Sequence, residues 1–358
     1  MSETNSNDNN EPQEEKDHGV LYLGIDLGTS RTSVSSSNGV RETIVSQVGY
    51  PKDVVSRKLL QKDVLFGDEA LQKRLSLDMY RPLAHGVLKS SEEEGPEKDA
   101  NQRAATDLIG EIIRRARARR DELVYAVIGV PAQASIRNKE AILSAARESV
   151  DSVMLCSEPF SVAYGLDMLD DVLVIDIGAG TVDLCRMHGT MPEDADQITL
   201  KSGGDFVDEE FAKRIRESHP EAQFSLQMIR QIKERYSSVA DEMEPAVAEL
   251  PVAGKPQTFN LTDELRAACR AMVPPIVDGL GQLISTFDPE FQDRLKDRVL
   301  LAGGGSQIRS LDTAIQAEMR RILGGGKVMR IEEPIYGGAN GALKIAHDMP
   351  EDYWEKLK

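Results

Sequence analysis

The chain has 358 residues, of which 40% are hydrophobic, with 60 acidic and 43 basic side chains and a net charge of −17. That charge argues against non-specific attachment to nucleic acid or to an anionic membrane surface, and no run reaches the roughly 18 apolar residues of a membrane span. The length exceeds one ordinary hydrophobic core and predicts two lobes.

Residues 1–18 carry almost no apolar side chains and read as a disordered acidic tail, which offers no apolar core for a signal peptide. An apolar run from Val20 ends in Asp26-Leu27-Gly28-Thr29-Ser30. Residues 31–45 read as a hairpin that turns at Asn38-Gly39. Residues 50–85 are mixed, short elements, and the polar, acid-rich 90–102 reads as a loop. Residues 104–120 form an amphipathic helix with Leu108, Ile109, Ile112 and Ile113 inward. Its arginines, 114, 115, 117, 119 and 120, make a basic patch that is either a solvated face or a contact to an acidic neighbour.

A buried strand over 124–130 stops at Pro131, and Ser135 caps a helix that runs through Val150. Asp170-Asp171 opens a second apolar run that ends in Asp176-Ile177-Gly178-Ala179-Gly180-Thr181. A glycine turn at 202–205 leads into a helix over 207–217, then a second over 224–236. Residues 246–260 read as strands. Residues 262–287 read as a long helix kinked or broken at Pro274-Pro275. A strand over 298–302 runs directly into Gly303-Gly304-Gly305-Ser306, and the last helix spans about 337–347. Strands alternating with helices give an α/β class. Cys156, Cys185 and Cys269 lack paired spacing and read as reduced core thiols. The five histidines lack metal-ligand spacing.

The two aspartate–glycine segments are the most informative feature. In each, the glycine turn lets backbone N–H groups approach a phosphate, and the strand-end aspartate can hold a water on Mg²⁺. A pair of them implies two halves facing each other across one polyphosphate.

Three segments in order, Gly24 to Thr29, Asp176 to Thr181 and Ala302 to Ser306, resemble the phosphate-1, phosphate-2 and adenosine motifs of the superfamily joining actin, the seventy-kilodalton heat-shock chaperones and the sugar kinases. Ile128-Gly129-Val130-Pro131-Ala132 and Gly337-Gly338-Ala339-Asn340-Gly341-Ala342 resemble its two connecting segments. Phe66-Gly67-Asp68-Glu69-Ala70 is similar to an actin segment. Tyr80 to Val87 is similar to the next one, except that Arg81 separates Tyr80 from Pro82. In that pattern His85 is structural. Glu158-Pro159 with Ala163 and Gly165 is similar to a segment of bacterial actins, and Ile232-Lys233-Glu234 to a ribose contact. Residues 48–54, 126–132, 157–160 and 350–354 resemble the magnetosome-associated bacterial actins. There are two departures: Arg31 lies near, but not at, the place of the lysine that ends actin's first phosphate loop, and the membrane-inserting N-terminal helix of some rod-shape actins is absent.

The resemblance implies a two-lobed actin-like ATPase fold, with two related RNase H-like domains flanking a nucleotide cleft. Lobe I would span 19–169 with a small subdomain at about 46–90. Lobe II would span 170–336 with a small subdomain at about 204–297, and 337–358 would return to lobe I. ATP and Mg²⁺ are the implied ligands. Asp26 and Asp176 would hold the ion through water, and Glu158 would position the hydrolytic water. Gly28, Thr29, Ser30, Gly178, Ala179, Gly180 and Thr181 would bind the phosphates. Gly203, Gly204 and Asp205 would line the opposite wall near the ribose and phosphates. Lys233 and Glu234 would contact ribose or adenine, beside Gly304, Gly305 and Ser306. The implied function is an ATP-hydrolysing protein that polymerises into dynamic cytoplasmic filaments. Its partners would be further copies of itself and magnetosome membrane adaptor proteins, and the filaments would position magnetosomes in a chain without nucleic acid or direct membrane insertion. The alternatives are a plasmid-segregating or cell-shape bacterial actin, a heat-shock-type chaperone ATPase, for whose substrate domain the sequence leaves no length, or a small-molecule kinase.

Overall fold

Two five-stranded sheets organise the described residues, 19–91 and 95–357 of a computed structural model. The first sheet runs Ser152–Ser157, Leu123–Val130, Val20–Leu27, Arg31–Ser36, Arg41–Val45. The second runs Gln197–Leu200, Val182–Met187, Val172–Ile177, Val299–Ala302, Val328–Arg330. In both, the central strand pairs antiparallel with its hairpin successor and parallel with a later strand. The hairpin at 31–45 forms as expected, with Gly39 at φ +84° taking the left-handed turn position. The expected acidic tail lies outside the described residues.

Apart from Asp26 and Asp176 near their ends, the central strands are largely apolar because helices cover both faces. Leu23, Ile25, Leu173 and Ile175 are fully buried. One core fills each lobe, and a third joins them: Val127 and Cys156 of the first sheet, Val174 and Ala302 of the second, and Phe160, Val162 and Ala342 from two helices that bridge the lobes. Those helices, Glu158–Gly165 and Gly337–Asp348, cross at a glycine contact. A Cβ on Gly341 would sit 1.7 Å from the Ser161 carbonyl oxygen, so no other residue fits without moving one helix.

Small subdomains extend each lobe. On the first, Val48–Pro51 pairs with both Leu65–Phe66 and Leu77–Tyr80. On the second, Val247–Val252 pairs with Lys255–Asn260.

Some elements differ from expectation. Residues 90–102 are not all loop, because a helix starts at Pro96 and runs to Arg115. Proline suits its first turn, and Glu97 and Asp99 oppose the helix dipole there. The helix ends before Arg117, which adopts φ +59°. Part of the arginine patch is engaged by local acids: Arg114 and Arg115 both donate to Glu111 at 2.8 Å, and Arg119 faces Glu122. Ser135 does cap the following helix, accepting from the Asn138 N–H, but that helix ends at Ala146. The proline pair breaks 262–287 in two, Thr262–Arg270 and Val273–Ser285, with the prolines in the first turn of the second piece. Cys156, Cys185 and Cys269 are buried free thiols.

Candidate functional site

The equivalent strands of the two sheets end at one cavity of about 320 Å³ between the lobes. Asp26 reaches it from the first central strand and Asp176 from the second, each one residue before its strand ends. Asp26 pairs in register with Gly129 and Ser33, and Asp176 with Ala302 and Asp183. Gly303, at φ +77°, lets the chain turn tightly past Asp176, since a Cβ there would lie 2.3 Å from Oδ1.

Each turn is braced by its own lobe. The Ser46 hydroxyl donates to the Gly28 carbonyl at 2.7 Å, and the Gly86 N–H donates to Thr29 Oγ1 at 2.8 Å. The Gly178 N–H donates to Thr181, and the N–H groups of Gly204 and Asp205 donate to the carbonyls of Gly178 and Ala179 at 3.0 and 2.7 Å. The second turn therefore sits on the first turn of helix Gly204–Ser218.

Glu158 opens its helix at the cavity floor, where Pro159 sets the first turn. Burial drives its carboxyl well above the ordinary range, reinforced by Asp26, Asp183 and Asp176. The same causes raise Asp176, with burial first and then Asp26 and Asp183. Burial lifts Asp26 to about 6. Asp183 is also raised by burial, although Thr199 Oγ1 and the Ala132 N–H donate to its Oδ1 at 2.5 and 2.9 Å. Its Oδ2 is buried and has no protein partner. Three carboxyls, Asp26, Glu158 and Asp176, line one space, with Asp183 buried beside Asp176, and such an oxygen-rich setting suits a hard cation. Among the described residues, no three acidic, histidine or cysteine side chains converge closely enough to hold a bare ion. The arrangement fits a divalent ion that keeps its water shell.

The cavity lining also includes the apolar Met272, Ile308, Pro334 and Ile335, together with Gly304 and Gly305. Such a lining suits the face of a flat heterocycle.

The expected residues do not all face this space. Gly203 lies behind the second turn, against Ala179 and Thr181. Ser306 is buried and donates to the Gly303 carbonyl at 2.7 Å. Asp205 and Lys233 line the cavity but are engaged within the protein. Asp205 accepts from Arg81 and Arg230, and Lys233 reaches the Gly204 carbonyl and Asp208, both at 2.7 Å. Arg31 faces Glu234 across the mouth at 3.5 Å. Arg81, Asp183, Asp208 and Arg230 escaped the sequence reading. Asp183 had a signal: it follows Asp176 by seven residues, as Ser33 follows Asp26, and both pairs lie in register across their hairpins.

A family model described as MreB/Mbl protein matches residues 21–352. The chain belongs to the MreB/Mbl family. Among curated relatives it is similar to the actin-like protein MamK of Paramagnetospirillum magneticum, at 40% identity over 94% of this chain and 95% of that protein. Among solved structures it is similar to a MamK double helical filament, with a TM-score of 0.88 and 39% identity, covering 93% of this chain and all of that one. It is also similar to a non-polymerising MamK mutant bound to AMPPNP, with a TM-score of 0.70 at the same identity, covering 92% of this chain and all of that one. The fold is therefore the actin-like one of this MreB/Mbl family, with each central strand of the family scaffold delivering one aspartate to the cleft. No helix among the described residues is long and apolar enough to cross a membrane.

Proposed function

We propose that the chain binds ATP with Mg²⁺ in the interlobe cleft, hydrolyses it to ADP and phosphate, and assembles head to tail into filaments whose turnover follows hydrolysis. One observation carries the reading: two equivalent strands present an aspartate and a glycine turn, at the same register, to one cavity. The similarity to filament-forming and AMPPNP-bound MamK supports it.

In this reading the backbone N–H groups of the turns at 28–30 and 178–181 cradle the phosphates, and the base lies on the apolar lining with Gly304 and Gly305. Asp26 and Asp176, with Asp183 behind them, hold the water shell of Mg²⁺. When bound, the ion neutralises charge on the phosphates. Glu158 accepts a hydrogen bond from the attacking water. Its raised affinity for protons suits a carboxylate that takes up the water's proton as the bond to the γ-phosphorus forms and the bond to the leaving oxygen breaks.

Because a head-to-tail contact does not close, it propagates. The reading extends to filaments that lie beside magnetosomes and are positioned through membrane-bound adaptors, and the likeness to MamK supports its filament part. A basic adaptor segment would be steered by the net charge of −17. Light scattering and electron microscopy with Mg-ATP test assembly, and flat scattering at every protein concentration would sink it. Gene deletion in the host tests the cellular role. Dispersed magnetosomes are expected, whereas intact chains with plasmid loss or rounded cells would point to a segregation or cell-shape filament.

A further inference from the structure

Among the described residues, ion pairs join the two lobes directly; Arg41 meets Glu333 at 2.9 Å, and two others involve residues that line the cleft. Arg31 and Glu234 are 3.5 Å apart with half-exposed side chains, 48% and 46% accessible, so solvent weakens their attraction. Arg81 and Asp205 are different: the guanidinium lies 2.8 Å from one carboxylate oxygen and 3.1 Å from the other, with side chains 23% and 17% accessible. Arg81 Nε also donates to the carbonyl of Thr29, within the first glycine turn, at 2.9 Å. One side chain thus grips the phosphate turn of lobe I and a carboxylate of lobe II.

Both ends are fixed. Arg81 lies between strand Leu77–Tyr80 and Pro82, which keeps its backbone extended. Asp205 also accepts from Arg230 at 2.8 Å, and its N–H donates to Ala179 in the second turn. Arg230 in turn reaches Asp208, which pairs with Lys233. The chain of contacts therefore runs from one glycine turn to the other through Arg81.

We propose that Arg81 is the positioning residue that holds the lobes closed over the nucleotide, acting through Asp205. This rests on reading the cleft as the ATP site. The guanidinium fork serves two acceptors at once, which a single ammonium at the same place does less well. Loss of the latch therefore opens the mouth and speeds nucleotide release, while leaving the groups that face the γ-phosphate in place.

The test is release of a fluorescent ATP analogue with Mg²⁺ from the full chain, chased with excess ATP, alongside single-turnover hydrolysis. Arg81→Gln and Asp205→Asn should each speed release by about three-fold or more, with about ten-fold the scale of a charge-assisted bond. Arg81→Lys should fall between Arg81→Gln and the parent. In the double variant the two effects should not multiply, because both break the same contact. Hydrolysis of nucleotide already bound should change less than release. Release accelerated by less than three-fold in both single variants, or effects that multiply, overturns the latch. A parent that retains no nucleotide overturns the reading of the site and the latch with it, whereas retention with unchanged release overturns the latch alone. Should Arg81→Gln fail to fold, Asp205→Asn breaks the same contact from the other lobe.

Discussion

Asp183 stands opposite Asp176 in the antiparallel pair of the second sheet, and both side chains are buried, with Asp176 lining the cleft and Asp183 behind it. Cross-strand neighbours share a face, so two carboxyls meet where like charges repel. In the first sheet the same place opposite Asp26 belongs to Ser33. Asp26 and Glu158 reach the cleft from lobe I and Asp176 from lobe II, with Asp183 behind it, and a cation is the natural way to relieve that crowding of acid.

Asp176→Ala should impair Mg-dependent nucleotide binding, assembly and phosphate release together, because it removes the central member of that cluster. Equilibrium binding measured with and without Mg²⁺ checks this. A variant that binds and turns over Mg-ATP normally refutes the metal role.

Glu158→Ala should lower phosphate release by roughly 10²-fold, the scale of a general-base contribution, and leave nucleotide binding nearly intact. Filaments should still form and should outlive those of the parent. Hydrolysis at the parental rate would show that the water is positioned by another group.

The pH dependence follows from Asp26. Its folded-state value of about 6 lies above the ordinary 3.8. Without a cation, the folded chain therefore binds more protons than the unfolded chain between these values. That stabilising contribution is present below the lower value and is lost as pH rises through about 6. A bound cation favours the ionised form and reverses the trend. The rise in melting temperature on adding Mg-nucleotide should be larger near pH 7.5 than near pH 5.5. Equal rises at both pH values in differential scanning fluorimetry would contradict this.

Two glycine substitutions should separate folding from ligand binding. Gly341→Ala forces a Cβ to within 1.7 Å of the Ser161 carbonyl oxygen. It should cost about 1–3 kcal/mol or more, as overpacking does. Gly304 lines the cleft, and a Cβ there meets nothing within 4 Å. Gly304→Ala should therefore keep the parental melting temperature and weaken adenine-nucleotide binding. If thermal unfolding ranks the two variants the other way round, the helix crossing is not as tight as described.

The glycine turns and strand-end aspartates were legible because apolar periodicity, a turn residue and a repeat all coincide in a few consecutive positions. The helix at Pro96 was written in local signals too, namely the proline and the acids after it, but the polar composition of 90–102 masked them. Arg81, Arg230 and Asp208 could not be read that way. Each matters because folding brings it beside residues far off in the chain: Arg81 lies 124 positions from Asp205. For the same reason Asp205 and Lys233, plausible ribose contacts by sequence, turn out to spend their charges on protein partners.

The crossing of helices Glu158–Gly165 and Gly337–Asp348 acts as a fulcrum. The carbonyl-to-glycine contact leaves little room for the helices to slide, and the shared apolar core beneath the cleft ties both lobes to that pivot. Any rotation of the lobes would turn about it. Displacement then grows with distance from the pivot, so a small opening at the phosphates becomes a larger swing at the outer strands of the small subdomains. The glycine contact and the shared core therefore set the axis from which any opening of the cleft would be measured.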